Sequence, residues 1–165
     1  MKTMTRELTL TDIAGYLEHP LLGQHPSGNI CWIDVEFVAK YGIALAGYKP
    51  VLRPMSDLYK EITDKDYNGG KPFVPLVELA KARHPNFDHY NFYATEQLVF
   101  CSIDSDFDNY TERYDWYKIL YYYYGDRLSF AEFDLLHRLR LDYRGLIDAG
   151  LAVRVYDLKT DQKIN

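Results

Sequence analysis

Five acids in DSDFDNYTERYD, residues 104 to 115, carry the most definite chemistry in this chain. Asp104, Asp106, Asp108, Glu112 and Asp115 fall on the first, third, fifth, ninth and twelfth positions of a calcium-loop template. Calcium wants several hard oxygens, and acids on alternate residues can wrap one ion. Two substitutions count against it. Asn109 stands where the sharp turn takes glycine, and Asp115 replaces the longer bidentate glutamate. An acidic turn between two strands, its side-chain oxygens capping backbone amides, accounts for the same residues and is the preferred reading. Calcium is the alternative, and no other cofactor is expected.

Two further groups bear on chemistry. His84, Asp88 and His89 in HPNFDHYNF are ligand types for zinc or another transition metal. Pro85 breaks any helix there, so the i, i+4 geometry of a helical metal motif is lost. A polar loop after a short helix is the simpler account. His137, Arg140 and Arg144 line up with Phe133 at steps of four, three and four residues, one stripe on a helix. Arginines bordering an apolar face can hold a carboxylate or phosphate bidentately, which makes this stripe the candidate partner-binding site. The competing account is snorkelling, with the stems covering the core edge and the heads reaching solvent or the acidic run. Asp134 and Arg138 form an ordinary i, i+4 helix pair, and Arg53 is spaced to meet Asp57.

The elements that must position these residues follow from periodicity and punctuation. Thr9 with Asp12 starts a short amphipathic helix over LTDIAGYLEH. Pro20 and Pro26 bracket a turn-rich connector. CWIDVEFV alternates Ile33, Val35 and Phe37 with Asp34 and Glu36, the pattern of a half-buried strand, and YGIALAGY is its expected hairpin partner. Pro50 and Pro54 stop regular pairing, and Ser56 caps a short helix to about Ile62. DKDYNGGKP, residues 64 to 72, is a polar linker, FVPLVELAKARHP a helix closed by Pro85, and EQLVFCSI a strand. In DWYKILYYYY the spacing of Trp116, Ile119, Leu120 and Tyr123 allows a helix, but the dense aromatics favour a strand. A capping box of Ser129 and Glu132 opens a long C-terminal helix to about Ala149, burying Leu136, Leu139, Tyr143 and Ile147. Gly150 stops it, and LAVRVY is a final strand. The sum is an α+β fold, one domain over residues 1 to 165 with the 64 to 72 linker inside it and mainly antiparallel strands.

Composition narrows the function classes. The 165 residues are 47% hydrophobic and 26% charged, as in ordinary globular domains, but 16% are aromatic, mostly the 16 tyrosines. Tyrosine suits half-buried sheets and contact surfaces alike. A net charge of −5 argues against general nucleic-acid binding. No apolar run reaches the length of a membrane span, and the start of the chain lacks the pattern of a signal peptide. A cytoplasmic protein with two free thiols, Cys31 and Cys101, is expected.

Three stretches carry a resemblance. They are LTLTDIAGYL, then YKPVLRPMSDLYKEI with KPFVPLVELAKARHP, and finally GLIDAGLAV. Together they resemble, in the same order, a family of uncharacterised small proteins encoded in prophages and mobile elements of gut anaerobes. That family has no catalytic residues to carry over, and its usual aromatics ahead of the Gly-Leu-Ile are replaced here by Arg140 and Arg144. The resemblance implies origin and order of elements. No serine-nucleophile, phosphate-loop or metalloprotease motif is present. The expectation is therefore a non-catalytic accessory protein of a phage or mobile element, acting by protein–protein contact. The alternative is a small metal-dependent hydrolase built on the 104 to 115 run or on the His84 and His89 loop.

Overall fold

The computed structural model describes residues 6–83, 90–95, 98–103, 111–114 and 129–158. The fold is α+β, and the chain divides into two compact units: Met1–Met55 with Leu136–Asn165, and Ser56–Leu135. The boundaries fall outside the 64 to 72 segment.

The first unit is built on a four-stranded mixed sheet in the order β2-β1-β3-β7, with β1 at Leu21–Gln24, β2 at Ile30–Ile33, β3 at Lys49–Leu52 and β7 at Val153–Arg154. β1 is antiparallel to both β2 and β3, whereas β3 and β7 run parallel, pairing Val51 with Val153 and Leu52 with Arg154. The connector between Pro20 and Pro26 therefore contains a strand. Its turn closes where the His25 N–H donates to the Asn29 carbonyl and the Gly28 N–H to that of His25, both at 2.8 Å. Pro50 lies inside β3 even though it has no N–H. The pairing with β1 spans only Gly23↔Pro50 and Gln24↔Lys49, so few donors are asked of it.

The strand expected over CWIDVEFV is half the length predicted. A first helix, α1, is only the four residues Leu10–Ile13; Asp34 ends β2 and caps the next, α2 (Val35–Tyr41), its carboxylate accepting from the Phe37 N–H at 2.7 Å. Alternation over so few residues also satisfies helical spacing, here Val35 with Val38 and Phe37 with Tyr41, and the cap decides between them. Nor is YGIALAGY a hairpin partner. Leu45, Ala46 and Gly47 all have positive φ (51°, 50° and 85°), which no strand accommodates. That tight coil brings Leu45 into the core beside Ile13, Tyr16, Leu21, Ile33, Leu52, Leu146 and Ala152.

The long C-terminal helix is not formed. The capping box is present as predicted: the Ser129 N–H donates to the Glu132 carboxylate at 2.7 Å, and the Glu132 N–H to the Ser129 hydroxyl at 3.3 Å. The helix it opens, α4, covers only Phe130–Arg138. Arg140 adopts φ 58°, its N–H donates to the His137 carbonyl, and the Leu141 N–H reaches back to that of Leu136 at 3.0 Å. This is a Schellman stop with arginine in the position that glycine usually takes. Beyond it Leu141 bridges to Arg53, with the Arg53 N–H donating to the Arg140 carbonyl and the Asp142 N–H to that of Arg53. The same stop recurs at Gly150 (φ 71°), where the Leu151 N–H bonds the Leu146 carbonyl, and the final strand is the two-residue β7. Leu136, Leu139, Leu141 and Leu146 are all fully buried, but from different pieces of chain.

The second unit holds an antiparallel sheet of β4 (Tyr90–Thr95), β5 (Leu98–Ile103) and β6 (Thr111–Tyr114) in sequence order. The helix expected before Pro85 is α3, at Pro75–Arg83. In place of a helix to Ile62 there is a 3-10 turn at Met55–Tyr59, beside which Lys60 stands 3.8 Å from the Asp57 carboxylate. The 64 to 72 segment is a closed loop, because Ile62 and Phe73 exchange backbone bonds of 2.8 and 2.9 Å across its base. Tyr67 stacks near Phe73 and donates to Glu78 at 2.9 Å, fastening the loop to α3. No described helix is long and apolar enough to cross a membrane.

Candidate functional site

Of the predicted partner-binding residues, Phe133 and His137 lie on α4, Arg140 lies in the turn after it, and Arg144 follows Asp142. The stripe presupposed a helix through residue 144, so the four do not share one helical face. Of the acidic run, Glu112 stands in β6, while Asp104, Asp106, Asp108 and Asp115 lie outside the described residues, as do His84, Asp88, His89 and the tyrosines at 121 to 124. Among the described residues no group of three metal-ligating side chains gathers.

What the first unit does bring together is a polar and aromatic cluster around Tyr16. This ring is buried in the unit's core, and its hydroxyl donates to the Leu141 carbonyl at 2.6 Å. Burial, reinforced by neighbouring Tyr143 and Asp142, pushes the Tyr16 pKa far up, so the hydroxyl stays a donor. His137 meets Tyr16 edge-on at 5.0 Å between centroids, and its Nε2 is 2.8 Å from the Tyr143 hydroxyl. The Arg144 Nε donates to that hydroxyl at 3.3 Å, with its guanidinium 5.3 Å from the Tyr143 ring centre. The Arg140 guanidinium donates to the Pro20 carbonyl at 3.1 Å. The Arg140 contact ties the turn after α4 to the chain at Pro20.

Two carboxylates complete the cluster. Asp12 accepts from the Thr9 N–H at 2.9 Å and the Thr9 hydroxyl at 2.7 Å, and it is ion-paired with Arg6. Burial acts to raise its pKa, but the Thr9 bonds and the Arg6 and Arg144 charges outweigh it, and the net value is lowered. Asp142 accepts from the Leu146 and Ile147 N–H groups, each at 2.8 Å, yet burial wins and its pKa is raised. The two have opposite signs in acid. A lowered folded pKa contributes stability above the unfolded value and loses it as pH falls through the folded one. A raised folded pKa makes stability fall as pH rises from the unfolded value through the folded one. Urea melts across an acid pH series should show wild type losing its advantage over Asp12→Asn below pH ~4. A pH-independent gap between the two would contradict the assignment.

Large apolar side chains facing solvent form the other notable feature of this unit. Trp32 on the outer strand β2 is 45% exposed, and Val35 and Tyr41 on α2 are 66% and 46% exposed. None of α2 is fully buried; Phe37 and Val38 pack on the core edge. The sequence pattern hid this surface, because a half-buried strand would have turned Val35 inward. Cys31 beside it is a free thiol whose pKa is raised by burial, which keeps it protonated. No protein-family model matches the chain, and no curated protein or solved structure matches it either.

Proposed function

We propose that this chain is a non-catalytic accessory protein of a phage or mobile element that works by binding another protein through the β2–α2 segment. The observation that carries this reading is the exposure of Trp32, Val35 and Tyr41 within ten residues of chain. Tryptophan and tyrosine are enriched at the energetic centres of interfaces, where they combine a large apolar area with a polar tip. The resemblance in LTLTDIAGYL, YKPVLRPMSDLYKEI and GLIDAGLAV supports the origin. His137, Arg140 and Arg144 spend polar atoms inside the first unit, which favours β2–α2 over them as the contact.

The test is affinity capture from the producing cell with a photo-crosslinker at position 41, comparing wild type with Trp32→Ser/Val35→Ser. One discrete crosslinked protein, lost in the double variant while its melting temperature holds, is the expected result. Retention of that protein by the variant, or no crosslinked species with wild type, would sink the reading.

A further inference from the structure

We propose that the outer edge of β2 takes up an extended segment of the partner protein as an added strand of the sheet. That segment is short, with apolar side chains at alternate positions and a lysine or arginine at one end. The inference rests on the β2–α2 contact proposed above and names how that contact is made. β2 stands at one edge of the order β2-β1-β3-β7, and among the described residues only β1 pairs with it. The His25 N–H donates to the Asn29 carbonyl, and the same register opposes Gly23 to Cys31 and Leu21 to Ile33. Bonded pairs alternate with unbonded ones in an antiparallel ladder, so Cys31 and Ile33 spend their N–H and C=O groups on β1. Those of Ile30 and Trp32 point the other way, out of the edge, about 7 Å apart. That is the repeat of an extended backbone, which such an edge binds through main-chain hydrogen bonds.

Sheet edges are normally blunted by charge, by proline or by brevity. The opposite edge follows that rule, since β7 has two residues and one of them is Arg154. β2 does not: it reads Ile-Cys-Trp-Ile, without charge or proline. Ile30 and Trp32 share the face turned away from Ile33. Phe37 and Val38 pack on the cluster that holds Ile33, so α2 turns to the core face and Trp32 stays open for an apolar side chain of the added strand. The exposed acids Asp34 and Glu36 follow β2 directly, whereas residues 26–29 at its other end are uncharged. A cation on the added strand therefore belongs at the Asp34 end. A second copy of this chain fits worse. Pairing β2 with itself through Ile30 and Trp32 centres on Cys31 and sets Asp34 beside the uncharged turn of the copy, so the acids meet no cation. The net charge of −5 on each chain adds repulsion.

Random heptapeptides displayed on phage and selected against the full chain supply the probe. Enriched sequences should carry apolar residues at alternate positions and Lys or Arg at one end. That end is N-terminal if the added strand runs antiparallel to β2 and C-terminal if it runs parallel. The synthetic peptide should shift the Ile30 and Trp32 amide resonances of the ¹⁵N-labelled chain, which should sediment as a monomer without it. Methylating the peptide's backbone nitrogens one at a time should weaken binding roughly tenfold or more at alternate positions and little between them, because only alternate N–H groups face β2. This arm leaves the protein untouched, so the folding of a variant does not enter it. Glu36→Lys, on exposed α2 surface, should weaken the same peptide several-fold. The proposal is overturned if no peptide is enriched, if methylation is tolerated equally at every position, or if Glu36→Lys changes nothing. A dimer in sedimentation that Trp32→Ser dissolves would overturn it too, in favour of a second copy. These failures are separable from failure of the β2–α2 contact: a crosslinked protein lost in Trp32→Ser/Val35→Ser keeps that contact even where no strand is added.

Discussion

Leu139→Ala should destabilise the protein by on the order of 2–5 kcal/mol, the range for deleting a fully buried leucine. Leu139 has no exposed surface, so the lost transfer energy is joined by the cost of the cavity left behind. For a chain of this size that corresponds to a fall in Tm of roughly 4–20 °C. The control is Leu10→Ala. Leu10 is 55% exposed, and the same chemical change there should stay within about 0.5 kcal/mol of wild type. Equal effects at the two positions would mean that Leu139 is not core. The reason for its burial is not the one periodicity suggests, since the residue lies just past the end of α4, in the turn that Arg140 closes.

Gly15→Ala is expected to cost about 1–3 kcal/mol, as overpacking does in a tight interior. A Cβ at this position would stand 2.6 Å from Nδ1 of His137 and closer still to Cε1 and Nε2. The imidazole must then leave, breaking its contact with the Tyr143 hydroxyl and its edge-on packing against Tyr16. Gly15 lies in the 3-10 helix Ala14–Glu18, where alanine would by itself be favoured over glycine, so a loss of stability isolates the steric conflict. Removing the ring should remove the conflict: Gly15→Ala/His137→Ala should be more stable than the sum of the single changes implies. Strict additivity in that cycle would show that the two residues do not meet. The imidazole Cε1–H resonance of His137, shifted in Gly15→Ala, gives a second readout.

Local chemistry was legible wherever one residue satisfies another a few positions away. The Thr9–Asp12 and Ser129–Glu132 boxes and the helix ahead of Pro85 are all such cases. Each depends on a bond within a few residues or on the conformational preference of glycine or proline, so sequence suffices. The stop at Arg140 uses the same backbone bonds as that at Gly150 without the glycine, and nothing local announces it. It is held by partners more than eighty residues away, the Arg53 backbone and the Pro20 carbonyl.

The candidate sites divide in the same way. The ridge of Phe133, His137, Arg140 and Arg144 was a helical-wheel construction, and it dissolved where the helix ended. His137 nevertheless found Tyr143, through a turn rather than along a helix. The exposed Trp32 and Val35 were hidden by a short alternation that fits strand and helix equally, until the Asp34 carboxylate chose the helix. By itself, then, the sequence determined the α+β class, the caps and the glycine-bound turns, because these are settled by neighbours in the chain. Which strands pair, that β3 and β7 run parallel, and that Gln24 faces Lys49 were decided only by tertiary structure. The β1–β3 and β3–β7 pairings join residues 25 to more than 100 positions apart, and their register is set by burying one shared core, a condition that no local stretch of sequence contains.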